Sequence, residues 1–288
     1  SASCVVGRLR AGGGDVIHGG VATARVVAGS NRQGPGGSIG LRADMDELPM
    51  PEETGAKYAS TVPGAMHACG HDGHTTMLLG AAKYLAETRN FAGKVVLMFQ
   101  PAEENGGGGE VMVQEGVMDR FDVAEVYALH NVPGIDVGSF YTTPGPIMAA
   151  VDTFYIDVKG RGGHGAYPQD TADPLVAAVA IVQAIQTIVS RNHDTRQEMV
   201  VSVTQIHAGS ADNVIPDTAF VNGTVRTFDP EVQDKVMRRL KDIGAGQAAA
   251  FEVEAELRDE KGSPATVNHP AQTECAGDVA RESAGASA

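Results

Sequence analysis

The chain has 288 residues, of which 42% are hydrophobic, and a formal net charge of -14 with a pI near 5.0. A chain of this length exceeds the size that one hydrophobic core usually supports, so two domains are expected. The acidic balance argues against nucleic-acid and anionic-membrane partners, because both require a basic surface. Neither end resembles a signal peptide and no run approaches 18 apolar residues, so we expect no membrane span.

The first 150 residues predict strands that alternate with helices. Short apolar stretches at 22–27 and 38–41 read as strands. Apolar residues at helical spacing predict a helix over 75–87, and the apolar runs 94–99 and 126–129 predict two buried strands. Alternation of this kind is typical of a largely parallel sheet, whose ligand sites gather at the carboxyl ends of the strands.

From Val151 the order of elements changes to β-α-β-β-α-β. We predict strands at 152–159, 199–206, 220–227 and 251–257, and helices at 173–191 and 230–243. This is the order of a ferredoxin-like unit. The fold class is therefore α/β: a mixed, largely parallel catalytic domain over 1–150, an inserted βαββαβ domain over 151–264, and the start of a return to the first domain over 265–288.

A dense group of histidine and cysteine residues predicts a metal site. Met66-His-Ala-Cys-Gly-His-Asp-Gly-His74 places three histidines and one cysteine in nine residues. Thiolate and neutral imidazole are preferred ligands of borderline-soft divalent ions. Glu103 and Glu104 follow a predicted strand and supply carboxylates, and His130 directly follows the next strand. Each feature also has an ordinary structural explanation. The histidines could lie on the surface, the two glutamates could form a solvated acidic pair, and His130 could simply end a strand.

Seven motifs in order resemble the metal-dependent amidohydrolases of the hippurate hydrolase and auxin-conjugate hydrolase type, within the aminoacylase and carboxypeptidase group of metallopeptidases. The resemblance runs from Ser38 onward. Besides the His/Cys motif, its motifs are Leu41-Arg-Ala-Asp-Met-Asp-Glu-Leu-Pro49, Phe99-Gln-Pro-Ala-Glu-Glu104, Leu129-His-Asn131, Gly162-Gly-His-Gly165, Asn213-Val-Ile-Pro216 and Gly223-Thr-Val-Arg-Thr227.

The resemblance implies a role for each matching residue near the metal. Cys69, His71, Glu104 and His130 match metal ligands, and Glu103 matches the general base that takes a proton from the attacking water. It also implies two divalent ions, with zinc, manganese, cobalt and nickel all compatible with the ligand types. Asp46 matches an aspartate that orients a ligand, whereas Asp44 stands where many relatives have a ligand histidine. His67 and His74 are assigned supporting or structural roles.

In the βαββαβ domain the resemblance implies substrate-binding groups and a dimer. His164 matches a histidine that stabilises the oxyanion, often in the active site of the partner subunit. Asn213 and Arg226 match residues that hold the carboxylate of the substrate, for which a guanidinium is well suited. We therefore expect a homodimer formed through this domain, which would act as a lid.

The resemblance also implies segments beyond both ends of these 288 residues, including a final histidine ligand after residue 288. His269, in a Val-Asn-His-Pro turn, is not expected to be that ligand. On this basis we expect the 288 residues alone to be poorly active, with an incomplete metal shell.

The resulting prediction is a metal-dependent amidohydrolase that cleaves N-acyl or N-aroyl amino acids. Three cysteines, Cys4, Cys69 and Cys275, are too few and too widely spaced for a disulfide framework, which favours a reducing cytoplasm. Two alternatives stay open. One is a dipeptidase or carboxypeptidase on the same scaffold, and the other is a truncated, inactive metal-binding relative.

Overall fold

The computed structural model describes Val5, Arg8 and residues 16–18, 26–32 and 36–285. The chain divides into two compact units, Ser1–Ile135 and Asp136–Ala288. Part of the strand expected over 22–27 lies outside the described residues. The described strand there begins at Val26.

The first unit contains a mixed five-stranded sheet. Its strands are β1 (Val16–His18), β2 (Val26–Arg32), β3 (Ser38–Asp44), β4 (Gly93–Gln100) and β5 (Glu125–Ala128), arranged in the order β1-β2-β4-β3-β5. The strand β3 runs parallel to both β4 and β5, whereas β2 pairs antiparallel with β1 and β4. The carboxyl ends of β3, β4 and β5 therefore meet at one edge of the sheet.

Helices cover both faces of β4, which is why that strand reads as a continuous apolar run. The helices are α1 (His71–Thr88), α2 (Gly108–Gln114) and α3 (Val117–Arg120). Val95, Leu97 and Phe99 belong to one core with residues of α1, whereas Val96 and Met98 belong to a second core with residues of α2 and α3. Successive side chains of a strand point to opposite faces, so both cores form on a single strand.

The second unit contains the expected βαββαβ order. Its four-stranded antiparallel sheet has the order β12-β7-β11-β9, with β7 at Ala150–Lys159, β9 at Met199–Ala208, β11 at Thr218–Thr227 and β12 at Glu254–Lys261. Short pairs β8 (Gly163–His164) with β10 (Val214–Ile215), and β6 (Gly145–Met148) with β13 (Thr266–Asn268), complete the strands described here.

Three helices complete the second unit: α4 (Pro174–Arg191), α5 (Pro230–Ala250) and α6 (Pro270–Ala284). Asp173 and Asp229 cap α4 and α5 through side-chain oxygens that accept first-turn amide N–H groups. Helices α4 and α5 share one core with the sheet. Among the described residues, α4 alone is long and apolar enough to meet the criteria for a membrane span, and a third of it is buried within the protein. Burial in this core accounts for part of its apolar character.

Several predicted boundaries differ from the structure, and three of them have a clear cause. Helix α1 begins at His71 rather than at 75, because Gly70 adopts a left-handed backbone (φ 84°) that starts the helix inside the His/Cys motif. Helix α5 continues seven residues beyond the predicted end at 243, and it buries Gly244 and Ala248. As a result, the last strand of this sheet begins at Glu254 rather than at 251.

Candidate metal centre

The first unit brings together the candidate ligands Cys69, His71, Glu103, Glu104 and His130. Glu103 and Glu104 follow β4, His130 follows β5, and Cys69 and His71 flank the start of α1. Donor atoms fall into groups within 4.8 Å of one another: Cys69, His71 and His130 form one group, and His71, Glu103 and Glu104 form another. The carboxyl ends of the parallel strands thus carry the cluster, as α/β sheets generally place their ligand sites.

His71 presents a free lone pair to this cluster. Its Nδ1 lies 2.9 Å from the carbonyl oxygen of Asp46, so the Nδ1–H donates there and Nε2 is left unprotonated. Nε2 lies 3.7 Å from Glu104 Oε1. Both atoms are buried, and neither has a hydrogen-bond partner among the described residues. Buried polar atoms are rarely left unpaired, so this pair fits the binding of a cation.

His130 and Cys69 form the second half of the cluster. His130 Nδ1 lies 2.7 Å from the carbonyl oxygen of Asn131, so its Nε2 also carries the lone pair. That Nε2 lies 3.5 Å from Cys69 Sγ. Donation of the other ring N–H to a backbone carbonyl is the usual arrangement of a metal-binding histidine. The nitrogen and sulfur donors therefore have the chemistry that a borderline divalent ion prefers.

The negative charge of the cluster shifts the pKa values of two side chains. Burial, followed by the neighbouring carboxylate of Glu104, raises the pKa of the Cys69 thiol to about 11. Burial and the same carboxylate raise the pKa of Glu103. Crowded acidic groups without a counter-charge disfavour their ionised forms. A bound cation would reverse this effect and stabilise the thiolate and both carboxylates.

Glu103 and Glu104 lie in an irregular turn that follows β4. Ala102 adopts a positive φ of 52°, which is uncommon for a residue with a Cβ. The backbone N–H of Glu104 donates to Asp46 Oδ2 at 2.9 Å. Asp46 therefore contacts Glu104 and His71 together.

Asp44 and His74 are near the cluster but already have partners. Asp44 Oδ2 accepts from Arg42 Nη1 at 2.8 Å, and Asp44 Oδ1 lies 2.5 Å from His74 Nδ1. His74 Nε2 lies 2.6 Å from Asn131 Oδ1. Although Asp44, His71 and His74 also have donors within 4.8 Å, these contacts occupy Asp44 and His74. The contact with Asn131 was not found from the sequence; its only sequence signal is that Asn131 directly follows His130.

The structure places His164, Asn213 and Arg226 in the second unit. His164 in β8 pairs with Val214, and the N–H of Gly165 donates to the carbonyl oxygen of Asn213 at 2.7 Å, so His164 and Asn213 lie on adjoining segments. Arg226 lies near the carboxyl end of β11, a central strand of the sheet, and donates to Val225 O at 3.2 Å. His164 Nδ1 accepts the N–H of Ala166 at 3.1 Å, which leaves the ring proton of the neutral form on Nε2.

Comparison with known proteins identifies the family. The sequence profile of the peptidase family M20/M25/M40 matches residues 40–288. N-acetyl-L-cysteine deacetylase of Bacillus subtilis (strain 168) is 44% identical over 89% of this chain and 61% of its own length. Hippurate hydrolase of Campylobacter jejuni is 44% identical over 85% of this chain and 63% of its own length. The chain thus spans less than two thirds of these relatives.

A solved structure extends the comparison to the fold. It is a dinuclear metal-binding peptidase of the M20 family from Bacillus subtilis, with a TM-score of 0.81 and 33% sequence identity, and the match covers 98% of this chain and 73% of that chain. The predicted resemblance and fold class are confirmed by these matches.

Proposed function

This chain belongs to the peptidase family M20/M25/M40, and from that premise we propose that the protein is a metal-dependent amidohydrolase of N-acyl or N-aroyl amino acids. The observation that carries the proposal is that His71 Nε2 and Glu104 Oε1, beside Cys69 and His130, are buried and 3.7 Å apart, and that neither has a hydrogen-bond partner in the described part of the chain. The names of the relatives, which are hydrolases of N-acyl compounds, support the same substrate class.

The proposed ligands are Cys69, His71, Glu104 and His130, and the proposed number of divalent cations is two. The dinuclear relative supports that number. When bound, a divalent metal polarises the amide carbonyl and lowers the pKa of water towards neutrality. Manganese, zinc, cobalt and nickel are all compatible with a mixed sulfur, nitrogen and oxygen shell.

Glu103 is the proposed general base. Its carboxylate lies within 4.8 Å of the donor atoms of the proposed ligands His71 and Glu104, which suits a group that takes a proton from water beside the cation. Glu103 accepts a proton as water attacks the amide carbon, and it then delivers that proton to the leaving nitrogen. The neighbouring Glu104 donates its backbone N–H to Asp46, and its carboxylate binds the cation.

In the second unit, His164 is the proposed oxyanion donor, and Asn213 and Arg226 are the proposed carboxylate-binding residues. The Nε2–H tautomer of His164 supports this role, because a donor is required there. A permanent guanidinium charge at Arg226 suits a substrate carboxylate.

We also propose a homodimer formed through the second unit, in a reducing cytoplasm. The strand β9 lies at an edge of its sheet, and apolar side chains on α4 are exposed; both features suit a second copy. A metal-binding thiolate at Cys69 requires a reduced cysteine, which supports the compartment.

The test combines metal analysis with a substrate panel. The protein is stripped of metal and reloaded separately with each of the four ions, and then assayed with hippurate, N-acetyl amino acids, indole-acetyl conjugates and peptides with a free amino terminus. Turnover of the N-acyl substrates supports the proposal. Cleavage of the free peptides alone favours the peptidase alternative, and bound metal without any turnover favours an inactive metal-binding relative.

A further inference from the structure

Asn131 lies between the two segments that carry the proposed sulfur and nitrogen ligands. It follows His130 in the chain, and its side chain packs against Gly70, which separates Cys69 from His71. A Cβ placed on Gly70 would lie 2.2 Å from Asn131 Nδ2 and 2.6 Å from Oδ1. Glycine at position 70 therefore allows a contact that any other residue would block.

His74 holds the other side of Asn131. His74 Nε2 lies 2.6 Å from the side-chain oxygen of Asn131 and 3.0 Å from its backbone nitrogen. His74 is only 2% exposed. The backbone and the side chain of Asn131 thus both contact one nitrogen of a buried ring, which forms a hydrogen bond with one of them at a time.

The contacts of His74 continue into the sheet. Its Nδ1 lies 2.5 Å from Oδ1 of the buried Asp44. Arg42 donates from Nη1 to Asp44 Oδ2 and from Nε to Gln100 Oε1, each at 2.8 Å. A continuous set of side-chain contacts therefore runs from β4 through β3 and α1 to the loop after β5. Asn131 is the end of this set that faces the ligands.

The backbone of Asn131 in turn orients His130. The Nδ1–H of His130 donates to the carbonyl oxygen of Asn131 at 2.7 Å, and the His130 ring lies 4.7 Å from that of His74, centroid to centroid. His130 is itself exposed and lies beyond the end of β5. Its ring direction, and hence the 3.5 Å separation of Nε2 from Cys69 Sγ, depends on where Asn131 is held.

We propose that Asn131 is a positioning residue of the metal site, which sets the spacing between His130 and Cys69 through its contacts with Gly70 and His74. This inference rests on the proposed ligand set. Residues that orient metal ligands typically change metal affinity by about 10- to 100-fold when they are removed. Asn131 touches no ion in this proposal; it acts through His130 and Cys69.

The test measures metal binding rather than turnover. Asn131→Ala, Asn131→Asp and the wild type are compared by equilibrium dialysis with Zn²⁺ and by the thiolate-to-cobalt absorption band of the Co²⁺-loaded protein. Asn268→Ala is the control, because Asn268 is another asparagine with a side-chain hydrogen bond, to the carbonyl oxygen of Thr143, but it lies in the other compact unit. We expect the Kd of Asn131→Ala to rise by about 10- to 100-fold, with a weaker thiolate band. Asn131→Asp, which keeps Oδ1, recovers most of the affinity, and Asn268→Ala binds as the wild type does.

The possible outcomes distinguish failure of the positioning role of Asn131 from failure of the proposed ligand set. Wild-type affinity and band in Asn131→Ala overturn the positioning role, and so does an equal loss in Asn268→Ala. A wild type that binds no metal refutes the ligand set itself instead. If Asn131→Ala does not fold, Asn131→Ser is compared with Asn131→Asp. Loss in the serine variant with recovery in the aspartate variant supports the role, and equal affinities overturn it.

Discussion

His71 Nε2 and Glu104 Oε1 face each other at 3.7 Å as buried atoms without hydrogen-bond partners in the described part of the chain. This contact is not a hydrogen bond. The distance is too long, and the ring proton of neutral His71 lies on Nδ1, which donates to Asp46 O. Two lone-pair-bearing atoms held apart in this way have an unfavourable environment unless a cation lies between them. Asp46 contacts both residues: its carbonyl oxygen accepts the Nδ1–H of His71, and its carboxylate accepts the backbone N–H of Glu104.

The two adjacent glutamates are expected to respond differently to the same substitution. Glu104→Gln removes a charged ligand, so metal affinity and turnover should both fall. Glu103→Gln removes only the proton acceptor, so turnover should be abolished while metal content stays at the wild-type level. Metal analysis of the two purified variants checks this. Loss of metal in Glu103→Gln would show that Glu103 is a ligand and that the assigned roles are wrong.

Metal binding is expected to strengthen as pH rises, because Cys69 must lose a proton. With a pKa of about 11 in the metal-free site, the thiol is protonated at neutral pH, whereas the bound form is a thiolate. Each bound ion that uses Cys69 therefore releases one proton, and the apparent affinity rises about tenfold per pH unit below that pKa. Zn²⁺ titrations from about pH 6 to about pH 8 measure the slope.

Cys69→Ser is the matched variant for this pH dependence. It should bind more weakly and lose roughly one proton from the slope, whereas Cys275→Ser, an exposed cysteine in the other unit, should leave the slope unchanged. An unchanged slope in Cys69→Ser would remove the thiolate from the ligand set.

The sequence was enough to select the candidate ligands, but not to find the contacts that surround them. Cys69 and His71 could be selected because they lie in a dense group of histidine and cysteine residues, and Glu103, Glu104 and His130 because they follow predicted strands. The contacts of Asn131 could not be found in this way, since they depend on the left-handed Gly70 and on the approach of two segments that are 57 residues apart in the chain. Such packing is a property of the folded backbone rather than of local pattern.

Helix α4 shows a second limit of periodicity. Leu175, Val179, Val182 and Ile185 share a helical face in the sequence, yet the fully buried positions include Ala177, Ile181, Ile185 and Ile188. Leu175 and Val179 are exposed. Because almost every position of this helix is apolar, its composition predicts a helix but does not select the face that packs on the sheet.

Asp44 is expected to stabilise the fold above acidic pH. Burial by itself raises the pKa of Asp44, but the hydrogen bond from His74 and the charge of Arg42 outweigh it and lower the pKa. A carboxyl group with a lowered pKa in the folded state contributes stability above its unfolded pKa of about 3.9 and loses it as pH falls through the folded value. Asp44→Asn should therefore cost about 2–3 kcal/mol at neutral pH and unfold with a shallower acid dependence.

Urea unfolding of the metal-free protein at several pH values measures this effect. Asp194→Asn is the control, because Asp194 also has a lowered pKa but forms an exposed pair with Arg196, and it should leave the unfolding midpoint unchanged. Equal midpoints for the wild type and Asp44→Asn at neutral pH would contradict the prediction.

The exposed side of α4 is expected to hold a second copy of the chain. Val176 and Val179 are 47% and 42% exposed, and α4 shares its core with β9, the edge strand of the sheet. A carboxylate buried in an apolar interface without a partner is strongly unfavourable. Val176→Asp combined with Val179→Asp should therefore convert a dimer to a monomer, whereas Val279→Asp, at an exposed valine on α6, should leave the dimer intact.

Light scattering coupled to gel filtration gives the masses, and circular dichroism confirms that each variant is folded. A monomeric wild type would refute the dimer, and a folded double variant that stays dimeric would place the interface elsewhere on the second unit.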